Sequence, residues 1–287
     1  MSAPAPDRIR RAGTPEETKP RLGLAAVAPL TWYHLSLLAR SPIGTFISLV
    51  IPVMLLVALY LVTPEMTLQS LGGVSIGQFL TPSMASFAVL NVAFVDVVIA
   101  VTLARDEGIL RRLHSSPAPA WAYFVSRLLT AAAVAAVAVA IVCAVGILFL
   151  HVHLAASALP RLAATVAAGL VTFFALGLGL AALVPSASGA LPIAYGVLLP
   201  VAFVSEVFFP APAEAAWLRE LANVLPVLPF VKGVQAAFGV SSEPLGAHGL
   251  LVMGCWTLGA LVVAVLLFSF EPGAGARARL LARSRRR

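Results

Sequence analysis

Between its charged ends the chain carries one dense group of ionisable side chains, Arg105-Asp106-Glu107-Gly108-Ile109-Leu110-Arg111-Arg112-Leu113-His114, followed by Ser115-Ser116-Pro117. Long apolar runs flank it on both sides. Its mixture of carboxylates, a glycine, an apolar-basic run and Ser-Pro suits charged contact with another macromolecule rather than bond chemistry. Asp96 is different, because it sits inside Asn91-Val92-Ala93-Phe94-Val95-Asp96-Val97-Val98 with apolar residues on both sides. A carboxylate in such a run marks a proton or ion site, or a structural bond to a neighbouring helix. It lies about 12 Å from the end of its run at 1.5 Å per residue, a shallow position that favours the structural role. Asn91, Asp96 and, near the end of a later run, Glu206 are the candidates for a polar path between helices.

Other chemistries are excluded by what is missing. The only lysines are Lys19 and Lys232, preceded by Thr18 and Val231, so no G-x-x-x-x-G-K-[ST] nucleotide-binding loop exists. His151 and His153 have metal-ligand spacing but no third ligand nearby, which leaves them as interfacial residues. Ser115, Ser116, Ser186 and Ser188 lack a companion His/Asp constellation for nucleophilic catalysis. Cys143 and Cys255 both fall in apolar runs and read as small packing residues. No catalytic residue and no bound cofactor or metal is expected.

The elements that must position these groups are membrane helices. The chain has 287 residues, of which 60% are hydrophobic and only 11% charged, and its mean hydropathy is +0.99. Soluble domains carry about 25% charged residues, so this composition is built for lipid. Apolar runs near the 20 or so residues of a membrane crossing predict six spans, over 43–63, 79–103, 123–150, 159–183, 190–209 and 249–270. Residues 1–23 read as a disordered tail and 273–287 as a basic tail on anionic headgroups rather than a nucleic-acid arm. Arg10-Arg11 is not followed by the apolar stretch of an export signal. Trp32, Tyr33 and Arg40 among leucines predict an interfacial helix over 24–41, ending before Pro42.

Orientation follows from the basic residues. Only Arg161, Arg219 and Lys232 of the 19 Lys and Arg fall on one side of this plan. The positive-inside rule then places both termini and the 104–122 linker in the cytoplasm. The segment 210–248 is too apolar for an ordinary loop and too rich in proline for a span. It predicts short re-entrant helices over Phe209, Pro210, Leu225, Pro226 and Pro229 that cap the outer face, with their free backbone groups buried in protein.

Taken in order, Arg40-Ser41-Pro42, Ile51-Pro52, Leu80-Thr81-Pro82, the linker from Arg105 to Leu113 with Ser116-Pro117, Phe208-Phe209-Pro210 and Leu225-Pro226 form a pattern over residues 24–270. It resembles the membrane subunit of ABC-2-type exporters, the class that includes daunorubicin-resistance permeases and polysaccharide exporters. Ser83 and Ile109 depart from it, standing where the family often has Gly and Thr. The resemblance implies an all-α, polytopic permease in a bacterial-type plasma membrane, domain limits 24–272, and export by alternating access. It implies a coupling helix in the linker that docks on a separate cytoplasmic P-loop ATPase, which carries ATP and Mg. Glu107, Arg111 and Arg112 would then give charged contacts, Leu110 and Leu113 would fill an apolar cleft, Gly108 would allow a close approach or a sharp turn, and Arg105, Asp106 and Pro117 would complete the coupling segment. A second permease copy or paralogue is expected, with lipids as the other partners.

Two other classes compete. A gradient-driven transporter would use Asp96 as its ion site, but the spans show no internal repeat. A membrane-embedded enzyme would need clustered polar groups, whereas Asp96, His114 and His151 fall at different depths.

Overall fold

With no water in the hydrocarbon to bond a free peptide group, a chain of this composition must form helices, and it does. The computed structural model describes residues 19–267 apart from 41, 64–66, 69–72, 115–119, 211–215 and 243. Pro117 and most of the two expected tails lie outside the described residues. The helices are α1 (Lys19–Arg40), α2 (Pro42–Val62), α3 (Ile76–Leu90), α4 (Asp96–Asp106), α5 (Ile109–His114) and α6 (Ala120–Phe149). They continue with α7 (Leu159–Leu183), α8 (Ala187–Val204), α9 (Ala216–Val224), α10 (Val227–Ala237) and α11 (Ala247–Leu267). Between α2 and α3 a two-residue antiparallel ladder, β1 (Thr67–Leu68) with β2 (Val74–Ser75), turns the chain back.

Among the described residues, five helical segments are long and apolar enough to cross a membrane: Ile76–Asp106, Trp121–Phe149, Ala156–Leu183, Ala187–Val204 and Ala247–Leu267. They overlap the second to sixth predicted spans with shifted ends. α2 occupies the position of the first, and its residues Ser48–Val62 form a shorter apolar helix. The fifth predicted span is shorter than expected, since α8 ends at Val204 and residues 205–209 form a turn. α1 begins earlier than the predicted interfacial helix and ends at Arg40 as expected.

α3 and α4 form the central column. They are joined without a break through a π-helical turn, Asn91–Val95, in which the Asp96 N–H donates to the Asn91 carbonyl. Such a turn takes in one more residue than an α-turn and recurs at functional sites. In the Ile76–Asp106 column 78% of the apolar window is buried by protein, against 17% in α11 and 22% in α8. The periphery is therefore made by α8 and α11, whose leucines and valines point outward. Pro82 in the column removes a backbone donor, and the buried hydroxyls of Thr81, Ser83 and Ser86 donate to the carbonyls of Gly77, Phe79 and Pro82.

Without a hydrophobic drive between helices in lipid, close backbone approach carries much of the packing. A Cβ added at Gly146 of α6 would lie 2.4 Å from Thr81 of α3, and one at Gly169 of α7 would lie 2.3 Å from the Phe230 ring of α10. At the start of α3, Gln78 acts as a knot. Its Nε2 donates to the carbonyls of His153 and Phe238, at 2.9 and 2.8 Å, and its Oε1 accepts from the His153 N–H at 3.0 Å.

The proline-rich segment after α8 folds as two short helices. α10 buries Phe230, Val231, Val234 and Gln235 completely. Pro226 is buried at its entry, Pro229 and Leu225 are half-buried, Pro210 is half-buried and Phe209 is exposed. Gln235 Nε2 donates to Ser83 Oγ at 3.1 Å. Ser83, one of the departures from the family pattern, thus supplies the hydroxyl that ties this helix to the central column.

Candidate functional site

The charged linker is divided by the structure into an inward half and an outward half. Helix α7 ends at Leu183 and leaves carbonyls without partners, while α8 starts at Ala187 and leaves N–H groups without partners. Arg105, at the end of α4, is 1% exposed. Its Nη1 and Nη2 donate to the carbonyls of Ala181 and Val184, at 3.2 and 2.8 Å. Asp106 Oδ2 accepts from the Ala187 N–H at 2.6 Å, and its Oδ1 lies 3.6 Å from Arg105 Nε. A cation thus meets the negative end of one helix and an anion the positive end of the next, the favourable sense for both dipoles. Ser186, the residue that would ordinarily cap α8 itself, makes no such bond and instead pairs its hydroxyl with Ser188.

Glu107, Ile109, Arg111 and Arg112 face outward and are exposed. Gly108 joins α4 to α5 with φ +69°, and a Cβ there would meet nothing within 4 Å. The glycine therefore serves the turn rather than a close approach. Leu110, expected to fill an apolar cleft, faces inward. It is 1% exposed and packs in a cluster with Val97, Val101, Tyr123, Phe174, Leu178 and Ala264 of its own chain. Arg105 and Asp106 are likewise engaged within the bundle. The exposed apolar side chain in their place is Ile109, the other departure from the family pattern. Leu113 lies in α5.

Of the three path candidates, Asn91 and Asp96 stand one π-helical turn apart, joined through the Asp96 N–H and the Asn91 carbonyl, while Glu206 lies elsewhere. Asp96 Oδ1 accepts from Ser48 Oγ of α2 at 2.9 Å. Asn91, in the π-helical turn, accepts at Oδ1 from the Tyr195 hydroxyl of α8 at 2.7 Å and donates from Nδ2 to Phe87 O at 3.1 Å. Glu206 lies beyond the far end of α8, buried and paired with Lys232 of α10. Its φ is +58°, and the Val207 N–H donates to Ala202 O across it. That closure of a helix ordinarily uses glycine. A glutamate there costs on the order of 1 kcal/mol of backbone strain.

Sequence reasoning missed His34. It lies on the inner face of α1, 5% exposed, with Nδ1 3.3 Å from Ser126 Oγ and its ring edge-on to Tyr123 at 5.4 Å. Its one visible signal was to be a lone ionisable residue among the apolar positions of α1. Burial, helped by the nearby positive Arg127, pushes its pKa down to about 4. The unfolded chain, near 6.5, binds the extra proton first as pH falls. Stability is therefore expected to be full above about pH 6.5 and to be lost progressively down to about pH 4. Thermal melts across this range, repeated on His34→Gln, check the point, since the variant should lose less stability over the same window.

Among the described residues no group of three or more His, Cys, Asp or Glu could hold a metal ion, and Cys143 and Cys255 are free thiols. The profile of the ABC-2 type transporter family matches residues 26–238, from within α1 to the end of α10. No curated protein matches the chain.

Proposed function

Since the chain belongs to the ABC-2 type transporter family, we propose that it is the permease of an ATP-driven exporter and that α5 is its coupling helix. As a member of that family it is a multi-pass membrane transport component. A separate P-loop ATPase, carrying ATP and Mg, docks on Glu107, Ile109, Arg111 and Arg112 from the cytoplasm. Its closure rocks the spans and alternates access to a hydrophobic or amphipathic substrate, moved outward. A second permease copy or paralogue completes the path, both termini are cytoplasmic, and the membrane is a bacterial-type plasma membrane.

The observation that carries this reading is the construction of α5. Leu110 holds it to the bundle, while two arginines, Arg111 and Arg112, and one isoleucine, Ile109, are turned to solvent on a helix of only six residues. A solvated linker needs neither the anchor nor the turn at Gly108.

The test is purification of the tagged protein from its native membrane, with identification of what stays bound. A P-loop ATPase is expected to be recovered. Charge reversal at Arg112 (Arg112→Glu) is expected to weaken its retention about tenfold, the effect of roughly 1.4 kcal/mol at an interface. Gly108→Pro, which cannot adopt φ +69°, should remove it while leaving membrane insertion intact. Retention unchanged in both variants would remove α5 from the coupling role. Absence of any ATPase would turn attention to a gradient-driven transporter and to Asp96.

A further inference from the structure

Arg105 and Asp106 are adjacent in sequence, yet they hold the two ends of a different pair of helices. We propose that they are positioning residues that make α5 and the α7–α8 turn a single mechanical unit. A displacement imposed on α5 is then delivered directly to α7 and α8 instead of dissipating along α4. This rests on the reading of α5 as the coupling helix.

Three hydrogen bonds fix the joint, two from Arg105 to carbonyls at the end of α7 and one from the α8 N-terminus to Asp106. The Arg105–Asp106 contact at 3.6 Å locks the two side chains to each other. Arg105 is buried and Asp106 half-buried, and the two facing atoms, Arg105 Nε and Asp106 Oδ1, are both buried and make no hydrogen bond of their own. Low local dielectric strengthens each of these bonds and makes sliding them past one another costly. An apolar contact backs the polar one, because Leu110 of α5 packs in the same cluster as Leu178 and Ala181 of α7. Gly108, bonded through its N–H to the Arg105 carbonyl, turns the chain from α4 into α5 at φ +69°. The fastening to α7 and α8 is made by the last two residues of α4, directly before that turn.

What the joint would move is also defined. α8 is an 18-residue helix, about 27 Å long at 1.5 Å per residue, with Tyr195 bonded to Asn91 part-way along. Just past its other end stands the Glu206–Lys232 pair. A push at Ala187 therefore reaches the π-helical turn and the far-end ion pair along one continuous helix, which carries Pro192 and Pro200 within it. α7 is held against α11, where Thr257 Oγ1 donates to Thr172 Oγ1 at 3.1 Å.

The experiment uses the permease with its bound ATPase, with Cys143 and Cys255 replaced by alanine. Spin labels are placed at two exposed sites, Trp121→Cys at the start of α6 and Ser188→Cys at the start of α8. The 121–188 distance is measured by pulsed electron resonance without nucleotide and with ATP and vanadate. A nucleotide-dependent shift is expected in the otherwise unaltered protein. It is expected to be lost in Asp106→Ala while the ATPase stays bound and continues to hydrolyse ATP, a dissociation that general misfolding would not give. Where Asp106→Ala cannot be recovered, Asp106→Asn keeps an acceptor for the Ala187 N–H but loses the charge contact with Arg105, and the shift should shrink. An undiminished shift in the recovered variant overturns the proposal, as does an ATPase-bound complex whose 121–188 distance never responds to nucleotide. Failure to recover any ATPase would strike the coupling reading itself, which keeps the two failures apart.

Discussion

Alanine at position 105 is expected to destabilise the protein by about 3 kcal/mol, the usual cost of removing one partner of a buried charged pair. Alanine at position 112, in the same linker, should change stability by less than about 0.5 kcal/mol. The two arginines differ in what they touch. Removal of the Arg105 guanidinium leaves the Ala181 and Val184 carbonyls without donors and takes from Asp106 its nearest cation. Arg112 is exposed, so its removal returns nothing to the interior. Arg105→Lys should fall between, since a single ammonium does not reproduce a planar fork bonded to two separate carbonyls. Thermal unfolding of the detergent-solubilised variants checks the order, and equal midpoints for the alanine variants at 105 and 112 would contradict it.

Gly169→Ala is expected to cost about 1–3 kcal/mol, the penalty for forcing a methyl group into a filled core. The added Cβ would lie 2.3 Å from the Phe230 ring. That ring has little freedom to move away, since Phe230 is 0% exposed and packs on Phe173 with centroids 5.1 Å apart and planes at 72°. α10 must shift instead, and it carries both Gln235 and Lys232, so the bonds to Ser83 and Glu206 are disturbed together. Combining Gly169→Ala with Phe230→Leu should restore part of the loss, because the smaller side chain vacates the contested space. Strict additivity of the two single costs in a double-mutant cycle would show that the contact is not the source.

Much of the architecture was legible because lipid imposes it. A crossing helix needs an unbroken apolar run, so the limits of α7, Leu159–Leu183, coincide with the predicted span. The linker was legible as the one charged interruption. Its inner and outer halves were not, because Arg105 and Arg112 obey the same topological rule and look alike in the sequence. Arg105 ends the column, and the face it occupies depends on the π-helical turn, which no residue pattern in Asn91–Val95 announced, whereas Arg112 lies past the Gly108 turn on α5. The inward setting of Leu110 was hidden for the same reason, since an apolar residue on a short helix fits its own bundle as well as a partner's cleft. Glu206 gave no hint of its left-handed backbone, which glycine or asparagine would have signalled. His34 could not be paired from sequence with Ser126, which lies on α6 far along the chain.

The turn at Asn91–Val95 has a consequence for how the gene for this protein can change. The central column is pinned at one end by Gln78 and at the other by Arg105 and Asp106. Each pin works at only one angular setting about the helix axis. Removing a single codon between them would swing the far pin by about 100° and draw it in by about 1.5 Å, so Arg105 would no longer face the α7–α8 turn. Substitutions can accumulate along the column, but insertions and deletions cannot, unless they come in sets that restore the angle. The spare residue in the wide turn is thus a fixed part of the molecule's length, and the loops outside the two pins are where its length is free to vary.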